Sequence, residues 1–565
     1  MLPQRPRFMN KLRKIPGAIF LLIVILGSLF LLRLPSCFIP LWNVDEAVSA
    51  CIANVIVDGG IPYRDAIDHR GPVTYYAYAL IFNIFGKNNM PAVHIALSGL
   101  LLCVSVVIYA CGTYVANKRA GLLTALFFTI LSFGAFREGD MLAAHTEYVV
   151  IFFTSIAVYF LLRSLSHNNF FLLFLCGTCY GIAFFAKQPA SLDLAAVFVF
   201  LELIAFFRQD QSPPFLKRVV CLACGFLLVT LYIILYFYTR GALQDFFFYF
   251  WTYNTKYYVP EIPFLMRIRN VLVPVKGLYS KFFFVPILFF SGSLYSLYDF
   301  FTLSPRGSGL FKKDFYILFV LLTGAAFVGA SLSGRTFGHY YIQMLPALCI
   351  IIGISTEKLF TVIQPFFIRA FSKKLLSAHS ILAGTFIACC IGSFLLPLPS
   401  RLYHSFSSPL RKDREEEVVQ YIKNSSTDHD HIFVWGFYPE LYVLSHRMPA
   451  SRYTFTNVLT GLIPWTNIGE DVDTAYAIVP GTWEILMKEL HENQPLLFVD
   501  ASPVYYRNFG KYDPETFPAL HRFLEQNYQL EFEISSDDES HGFKIYKRKN
   551  QPNVKHLGSS TFTRC

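Results

Sequence analysis

Charged residues are scarce in this chain. They make up 15% of its 565 residues, whereas hydrophobic residues make up 54% and aromatic residues 17%. Soluble domains carry about 25% charged residues, so this composition excludes an ordinary soluble protein and indicates a membrane protein. The net charge of +10 is spread between apolar segments rather than along one stripe. It therefore indicates membrane topology and argues against a nucleic-acid partner.

Cysteine is scarce where a secreted domain would need it. Of twelve cysteines, only Cys565 falls in the polar C-terminal third, which argues against a disulfide framework in the solvent-exposed part. Two Cys-x-x-Cys pairs, Cys176/Cys179 and Cys221/Cys224, sit inside hydrophobic runs without other metal ligands beside them. Core packing is the favoured interpretation, ahead of zinc binding or redox chemistry.

Long apolar runs fill the first four hundred residues instead. Runs of about 17–22 apolar residues are long enough to cross a bilayer as helices. They predict about eleven spans, near residues 17–35, 91–112, 120–136, 147–163, 170–187, 190–207, 219–239, 281–301, 315–333, 340–357 and 377–397. The first run has no small-x-small cleavage site, so we expect an uncleaved helix rather than a signal peptide.

Basic residues indicate the orientation of these spans. Five of them, at positions 5, 7, 11, 13 and 14, precede the first span, and every second connection after it also carries Lys or Arg. By the positive-inside rule, the amino terminus should be cytoplasmic. An odd number of spans then places the C-terminal part outside the cytoplasm. We expect a multi-pass protein of the plasma (inner) membrane with an extracytoplasmic, periplasmic-type domain.

The composition changes near residue 400. Helices are predicted near 413–422, 482–492 and 515–526, and strands near 431–435, 496–499, 529–534 and 543–548. This alternation predicts a small α/β domain. The expected fold class is a polytopic α-helical membrane protein of about eleven transmembrane helices (1–399) with a C-terminal soluble α/β domain (400–548). The polar tail, 549–565, is expected to be disordered.

With this topology, polar side chains beside the spans collect on the outer face. They are Asp45, Glu46, Asp65, Asp68, His69 and Arg70 in the first outer loop, Arg137, Glu138, Asp140, His145 and Glu147 in the second, Lys187 after the fifth span, and Arg335, His339, Tyr340 and Gln343 before the tenth. Neighbouring carboxylates can act as a general base or bind a divalent metal. Arg and Lys suit a phosphate. Because charges are costly next to lipid, the set predicts a site for a lipid phosphate, in which a carboxylate deprotonates an acceptor hydroxyl.

The first outer loop also resembles that of a known group. Asp45-Glu46, followed by Gly60-Ile61-Pro62-Tyr63-Arg64-Asp65-x-x-Asp68-x-Arg70-Gly71-Pro72, is similar to the first outer loop of GT-C glycosyltransferases. The nearest subgroup is the bacterial dolichyl-phosphate-mannose-protein mannosyltransferase-like enzymes, relatives of the lipid A aminoarabinose transferases. Further segments that resemble this subgroup are Ala144-His145-Thr146-Glu147, Ala186-Lys187-Gln188-Pro189, Gly334-Arg335-x-Phe337-x-His339-Tyr340-x-x-Gln343-x-x-Pro346 and Phe433-Val434-Trp435-Gly436.

The resemblance implies an enzyme that uses a polyprenyl-phosphate-linked sugar donor. It implies an inverting single displacement onto a hydroxyl of a glycan, lipid or protein, on the extracytoplasmic face. By the same resemblance, Asp45 is the expected general base, and Glu46 and Glu147 orient the acceptor or the sugar. The residues expected on the substrate and phosphate side are Arg64, Asp65, Asp68, Arg70, Lys187, Arg335, His339 and Tyr340.

Simpler interpretations stay open at several of these positions. Asp65 and Asp68 could form a turn, Arg70 could pair with Asp68, Lys187 could snorkel to the interface, and His145 is favoured as a packed histidine. No cofactor is expected, because no His-x-x-x-His pattern supports a metal site, although a divalent metal is an alternative. A transporter or lipid-linked-sugar flippase also has many spans and interior charges, but usually shows repeat symmetry. A non-catalytic assembly subunit is the third alternative.

Overall fold

A computed structural model describes residues 17–208, 215–258, 262, 264–303, 310–372, 400, 413–467, 469, 471–504, 509–534 and 542–549. The chain divides into two compact units, Met1–Arg64 with Asp68–Leu410, and Asp65–Ile67 with Arg411–Cys565. Among the described residues, eight helices are long and apolar enough to cross a membrane. The chain is therefore an integral membrane protein, as its composition predicts.

These eight helices coincide with eight of the eleven predicted spans. Their bounds are Gly17–Phe38, Met90–Val115, Thr146–His167, Ala190–Arg208, Phe215–Thr239, Phe284–Thr302, Lys312–Ser331 and Gly338–Val362, the last continuing as α-helix to Ser372. The predicted spans 120–136 and 170–187 coincide with the 17-residue helices Lys118–Gly134 and Phe170–Ala186. The predicted span 377–397 and nearly all of the predicted tail lie outside the described residues.

The prediction of a first outer loop is wrong in one respect, because much of that segment is helical. Helices Val44–Val57 and Pro72–Phe85 lie between the first two predicted spans. Each has 14 residues, so each is about 21 Å long, too short for a hydrocarbon core of about 30 Å. A search for long apolar runs therefore misses both. The Asn43 side chain caps the first helix by accepting from the Asp45 N–H (3.1 Å).

The first unit contains further helical elements among its described residues. They are the α-helices Glu138–Leu142, Leu243–Phe247, Asn254–Lys256 and Phe264–Lys281, the π-helical turns Phe248–Tyr253 and Asp299–Leu303, and the 3-10 turns Lys312–Asp314 and Gly338–Met344. Phe264–Lys281 falls in the connection predicted between the seventh and eighth spans, where no helix was expected.

Two glycines of the first unit allow close approach of the backbone. A Cβ at Gly177 would lie 2.0 Å from the Leu222 carbonyl oxygen, so the two helices that carry them cross without side chains between them. A Cβ at Gly71 would lie 2.0 Å from the Phe185 carbonyl oxygen. The segment that carries Arg70 therefore packs against the end of the helix that precedes Lys187.

A five-stranded mixed sheet forms the core of the second unit. Its strands are β1 His431–Trp435, β2 Met448–Pro449, β3 Leu497–Asp500, β4 Tyr528–Ile534 and β5 Phe543–Arg548, in the order β2-β1-β3-β5-β4. β1 is parallel to β2 and β3, and β5 is antiparallel to β3 and β4. The helices of this unit are Asp413–Ser425, Glu440–Ser445, Asn457–Thr460, Thr482–Asn493 and Pro518–Asn527, with 3-10 turns at Ala475–Ala477, Gly510–Tyr512 and Pro514–Thr516. The predicted α/β class is confirmed, and the two-residue β2 and the short helices Glu440–Ser445 and Asn457–Thr460 were not foreseen.

Candidate active site

Asp45 lies at the centre of a cluster of charged and aromatic side chains in the first unit. It stands in the first turn of Val44–Val57, and its Oδ1 accepts a hydrogen bond from Arg70 Nη2. Its Oδ2 lies 3.6 Å from His145 Nδ1 and 3.7 Å from His339 Nε2. Burial alone would raise the pKa of Asp45, but Arg70 and the two histidines hold it well below its ordinary value. Asp45 is therefore ionised at neutral pH.

The two histidines form a stacked pair beside this carboxylate. The rings of His145 and His339 are 4.1 Å apart and 2° from parallel. His339 Nδ1 lies 3.1 Å from Asp140 Oδ1, whereas His145 Nε2 is buried without a hydrogen-bond partner among the described residues. Burial lowers the pKa of His145, but Asp45, with its hydrogen bond and its charge, shifts it above the ordinary value.

The same three side chains form a candidate metal centre. Asp45, His145 and His339 each offer one ligand atom, and these atoms all lie within 4.8 Å of one another. One carboxylate and two imidazoles are a ligand set found in catalytic zinc sites. The chemistry of these donors therefore fits a divalent transition metal.

Asp68 fixes the position of the Arg70 guanidinium. Asp68 Oδ2 accepts from Arg70 Nη1 (3.0 Å) and from the Tyr75 hydroxyl (2.6 Å), and its Oδ1 lies 2.9 Å from His69 Nδ1. Burial would raise the pKa of Asp68, but Arg70 and His69 lower it below its ordinary range. The Tyr63 hydroxyl also donates to the Arg70 carbonyl (2.6 Å). Arg70 is thus held by hydrogen bonds at its backbone, from Tyr63, and at its side chain, to Asp68. Its Nη2 is directed at Asp45.

Lys187 is joined to the cluster through Glu147 and Tyr340. Lys187 Nζ donates to Glu147 Oε1, and it lies 3.6 Å from the centroid of the Tyr340 ring, which suits a cation–π contact. The Tyr340 ring packs edge-on against His339 at 4.7 Å. Glu147, Lys187 and Tyr340 therefore line one side of the Asp45 cluster.

Arg335 supplies a third cation, and part of its guanidinium makes no hydrogen bond to the described residues. Arg335 Nη2 donates to the Tyr258 carbonyl (2.8 Å), and the guanidinium stacks 3.8 Å above the Tyr258 ring. Its Nε and Nη1 are buried without a hydrogen-bond partner in the part of the chain that the structure describes. The same Tyr258 ring lies 3.9 Å from His69. Arg335 thus presents two donors that an anion could satisfy.

Glu46, next to Asp45, uses its carboxylate to hold backbone in place. Its Oε2 accepts from the N–H of Trp42 (2.7 Å) and Asn43 (3.3 Å), and its Oε1 accepts from the N–H of Ala144 (2.6 Å) and lies 2.8 Å from His94 Nε2. The side chain is fully buried. Glu46 therefore caps its own helix and ties it to the segment that precedes His145.

Most of the predicted site residues come together here, and Arg64 and Asp65 have other surroundings. Arg64 Nη1 donates to the Arg240 carbonyl (3.0 Å), which is not part of the cluster. Asp65 groups with the second unit of the chain. The residues that the sequence analysis did not single out are His94 and Tyr75. Neither belongs to a recognisable motif: the partner of His94 is Glu46, 48 residues away, and Tyr75 lies inside an apolar helix.

The family model described as dolichyl-phosphate-mannose-protein mannosyltransferase matches residues 69–237. The segment contains Arg70, His145, Glu147 and Lys187, and it confirms the resemblance over that part of the chain. No curated protein matches the sequence.

Solved structures match nearly the whole chain. ArnT from Cupriavidus metallidurans bound to undecaprenyl phosphate is 14% identical, with a TM-score of 0.55 over 94% of this chain and 98% of that chain. The Archaeoglobus fulgidus oligosaccharyltransferase in the apo form is 13% identical, with a TM-score of 0.54 over 96% and 75%. AglB from the same organism, in complex with an inhibitory peptide and a dolichol-phosphate, is 12% identical, with a TM-score of 0.50 over 95% and 75%. The chain therefore has the GT-C fold, a polytopic helical unit followed by a smaller unit with a sheet.

Proposed function

We propose that this chain is a membrane glycosyltransferase. It transfers one sugar from a polyprenyl-phosphate-linked donor to a hydroxyl of a glycan, lipid or protein, with inversion at the anomeric carbon. The observation that carries the proposal is the ionised Asp45 in one network with the cations Arg70, Lys187 and Arg335. Similarity in fold to proteins whose structures hold undecaprenyl phosphate or dolichol-phosphate supports this donor class. The basic residues between the spans support an extracytoplasmic position for the site.

Three cations, Arg335, Arg70 and Lys187, bind the donor phosphate in different ways. Arg335 has two buried donors without a hydrogen-bond partner among the described residues, so it is the first contact for a phosphate oxygen. Arg70 and Lys187 are each paired with a carboxylate, Asp45 and Glu147. A phosphate that binds between them competes with these carboxylates for both cations. The cations then stabilise the negative charge that develops on the phosphate as its bond to the sugar breaks.

Asp45 takes the proton of the acceptor hydroxyl. In the reaction, the acceptor oxygen bonds to the anomeric carbon, the bond from that carbon to the phosphate oxygen breaks, and its electron pair leaves with the lipid phosphate. While Arg70 is paired with Asp45, the pKa of this carboxyl is depressed and the carboxylate is a weak base. When Arg70 turns to the donor phosphate, the pKa of Asp45 rises. Donor binding therefore activates the base.

Two of the predicted catalytic carboxylates act by positioning. All four hydrogen bonds to Glu46 come from the protein, so it fixes the helix of Asp45 rather than touching the substrate. Glu147 orients Lys187. Arg64 and Asp65 stay predictions for the substrate side.

A divalent metal at Asp45, His145 and His339 is the second candidate arrangement, favoured by the convergence of their ligand atoms. These residues would hold the metal, which would supply Lewis-acid stabilisation when bound. Chelation followed by addition of Zn²⁺ or Mn²⁺ separates the two arrangements. Loss and recovery of activity supports the metal, whereas full activity after chelation supports the metal-free arrangement.

The experiment that tests the function measures release of free lipid phosphate. Purified protein is given a panel of polyprenyl-phosphate-linked sugars with membrane extracts as acceptors, and wild type is compared with Asp45→Asn. Asp58→Asn is the matched control, because Asp58 ends the same helix and pairs with Lys87 at the surface. We expect release by wild type and the control and none by Asp45→Asn. Translocation of the donor without release would identify a flippase instead and refute the proposal.

A further inference from the structure

A second polar cluster lies inside the helix bundle and shares no residue with the Asp45 cluster. Its centre is Asp193, a buried carboxylate in the first turn of Ala190–Arg208. Asp193 Oδ2 accepts a hydrogen bond from Gln343 Nε2 (3.0 Å). Its Oδ1 is buried without a partner, and no cationic side chain of the described residues forms an ion pair with it.

Two further oxygens near Asp193 also have unmet hydrogen-bonding capacity. The Tyr180 hydroxyl and Ser155 Oγ are buried and have no hydrogen-bond partner among the described residues. Together with Asp193 and Gln343, they line one cavity of about 30 Å³. A water molecule needs roughly 10–15 Å³ by this measure, so the cavity accepts about two water-sized occupants. It is too small for a sugar or a phosphate.

We propose that this cavity binds a monovalent cation such as Na⁺. An uncompensated carboxylate in the membrane interior is costly, and one positive charge neutralises Asp193. The available ligands are all oxygens, from a carboxylate and two hydroxyls, and hard cations prefer such ligands. A proton on Asp193 would neutralise the charge, but water in the same cavity would still be needed as the partner of Tyr180 and Ser155. A single cation meets both requirements.

The cation would join three segments of the first unit directly and a fourth through Gln343. Ser155 lies on Thr146–His167, Tyr180 on Phe170–Ala186 and Asp193 on Ala190–Arg208, and Gln343, which donates to Asp193, lies on Gly338–Met344. Because a ligand that binds only the folded state stabilises it by mass action, occupancy should raise the thermal stability of the chain. This effect does not depend on glycosyl transfer.

The test measures Tm of the purified full chain in detergent. NaCl is titrated against choline chloride at constant ionic strength and constant pH. We expect Tm to rise by a few degrees and then level off as Na⁺ saturates the site. Asp193→Asn should abolish this rise. Glu202→Gln should keep it, because Glu202 is an exposed carboxylate on the same helix that does not line the cavity.

Two variants that keep the Asp193 carboxylate test cation binding if Asp193→Asn does not fold. Tyr180→Phe and Ser155→Ala keep the carboxylate and each remove one ligand, so each should raise the Na⁺ concentration for the half-maximal Tm shift at least about threefold. A wild-type Tm that is the same in both salts overturns the proposal. So does a Tm that follows pH but not the identity of the cation, since the occupant is then a proton.

Discussion

Replacing Glu46 with Gln tests how the helix that carries Asp45 is held in place. The carboxylate accepts from four groups, two on each oxygen, and the side chain is fully buried. Glutamine has nearly the same shape but only one oxygen. If its amide nitrogen faces the N–H groups of Trp42 and Asn43, both of those hydrogen bonds are lost. If it faces Ala144 and His94, the bond from Ala144 is lost, and the bond to His94 survives only when the ring carries its proton on Nδ1 and accepts at Nε2. One or two hydrogen bonds are therefore lost.

The size of the effect follows from these contacts. A hydrogen bond to a charged group contributes about 1.5–3 kcal/mol, so the loss of one or two bonds destabilises the folded state by about 1.5–6 kcal/mol. Stability should also depend on pH. Burial would raise the pKa of Glu46, but its bonds to His94 and to backbone lower it below the ordinary value. The carboxylate's contribution is therefore complete above pH about 4.3 and is lost as pH falls through the lower folded-state pKa.

Denaturant unfolding in detergent, followed by intrinsic fluorescence, measures this loss. Asp58→Asn on the same helix is the control, since it removes only an exposed ion pair with Lys87 and should cost less than about 1 kcal/mol. The Glu46→Gln protein should also lose transferase activity, because the helix that carries Asp45 is displaced. A Glu46→Gln protein as stable as the control would refute the positioning role of Glu46.

Three further substitutions test the cations. Arg335→Lys should raise KM for the lipid-phosphate donor about 10–100-fold with little change in Tm, since it removes the two free donors of a fork; a donor titration with wild-type KM would contradict this. Lys187→Met should destabilise the fold by about 3–5 kcal/mol because it leaves Glu147 buried without its cation; adding Glu147→Gln should recover stability in unfolding experiments but not activity. Arg70→Gln should move the acid limb of the kcat/KM–pH profile to higher pH, because Arg70 lowers the pKa of Asp45 and burial raises it; an unmoved limb would argue against Asp45 as the base.

Long apolar runs made most of the helical unit predictable. The helices Val44–Val57 and Pro72–Phe85 were missed because they are too short to span a membrane. The second unit was predicted well because its strands and helices carry strong local patterns, whereas β2 is two residues long and contains Pro449. The local hydrophobic pattern of the sequence thus predicted those helices and strands that are long or strongly periodic.

The roles of individual site residues were harder to predict than their presence. Glu46 looked like a partner of Asp45 in catalysis, but its four hydrogen-bond partners include Ala144 and His94, which are far away in sequence. His145 was favoured as a packed histidine, yet it lies 3.6 Å from Asp45. Sequence spacing cannot show which of two adjacent carboxylates pairs with Arg70, because that depends on contacts between distant segments.

The charges of the cluster indicate what must accompany the donor. Among the described residues, the four carboxylates Asp45, Asp68, Asp140 and Glu147 are balanced by four permanent cations, Arg70, Lys187, Arg335 and Arg137, the last of which acts on Asp140. A phosphodiester brings one more negative charge, so its binding requires added positive charge. His145 can supply it as a proton, since Asp45 holds its pKa above the ordinary value. Donor affinity should then weaken as pH rises through the pKa of His145, and in His145→Gln it should be weaker and independent of pH over that range. Donor affinity restored at high pH by Zn²⁺ in wild type, but not in His145→Gln, would assign the missing charge to a metal instead.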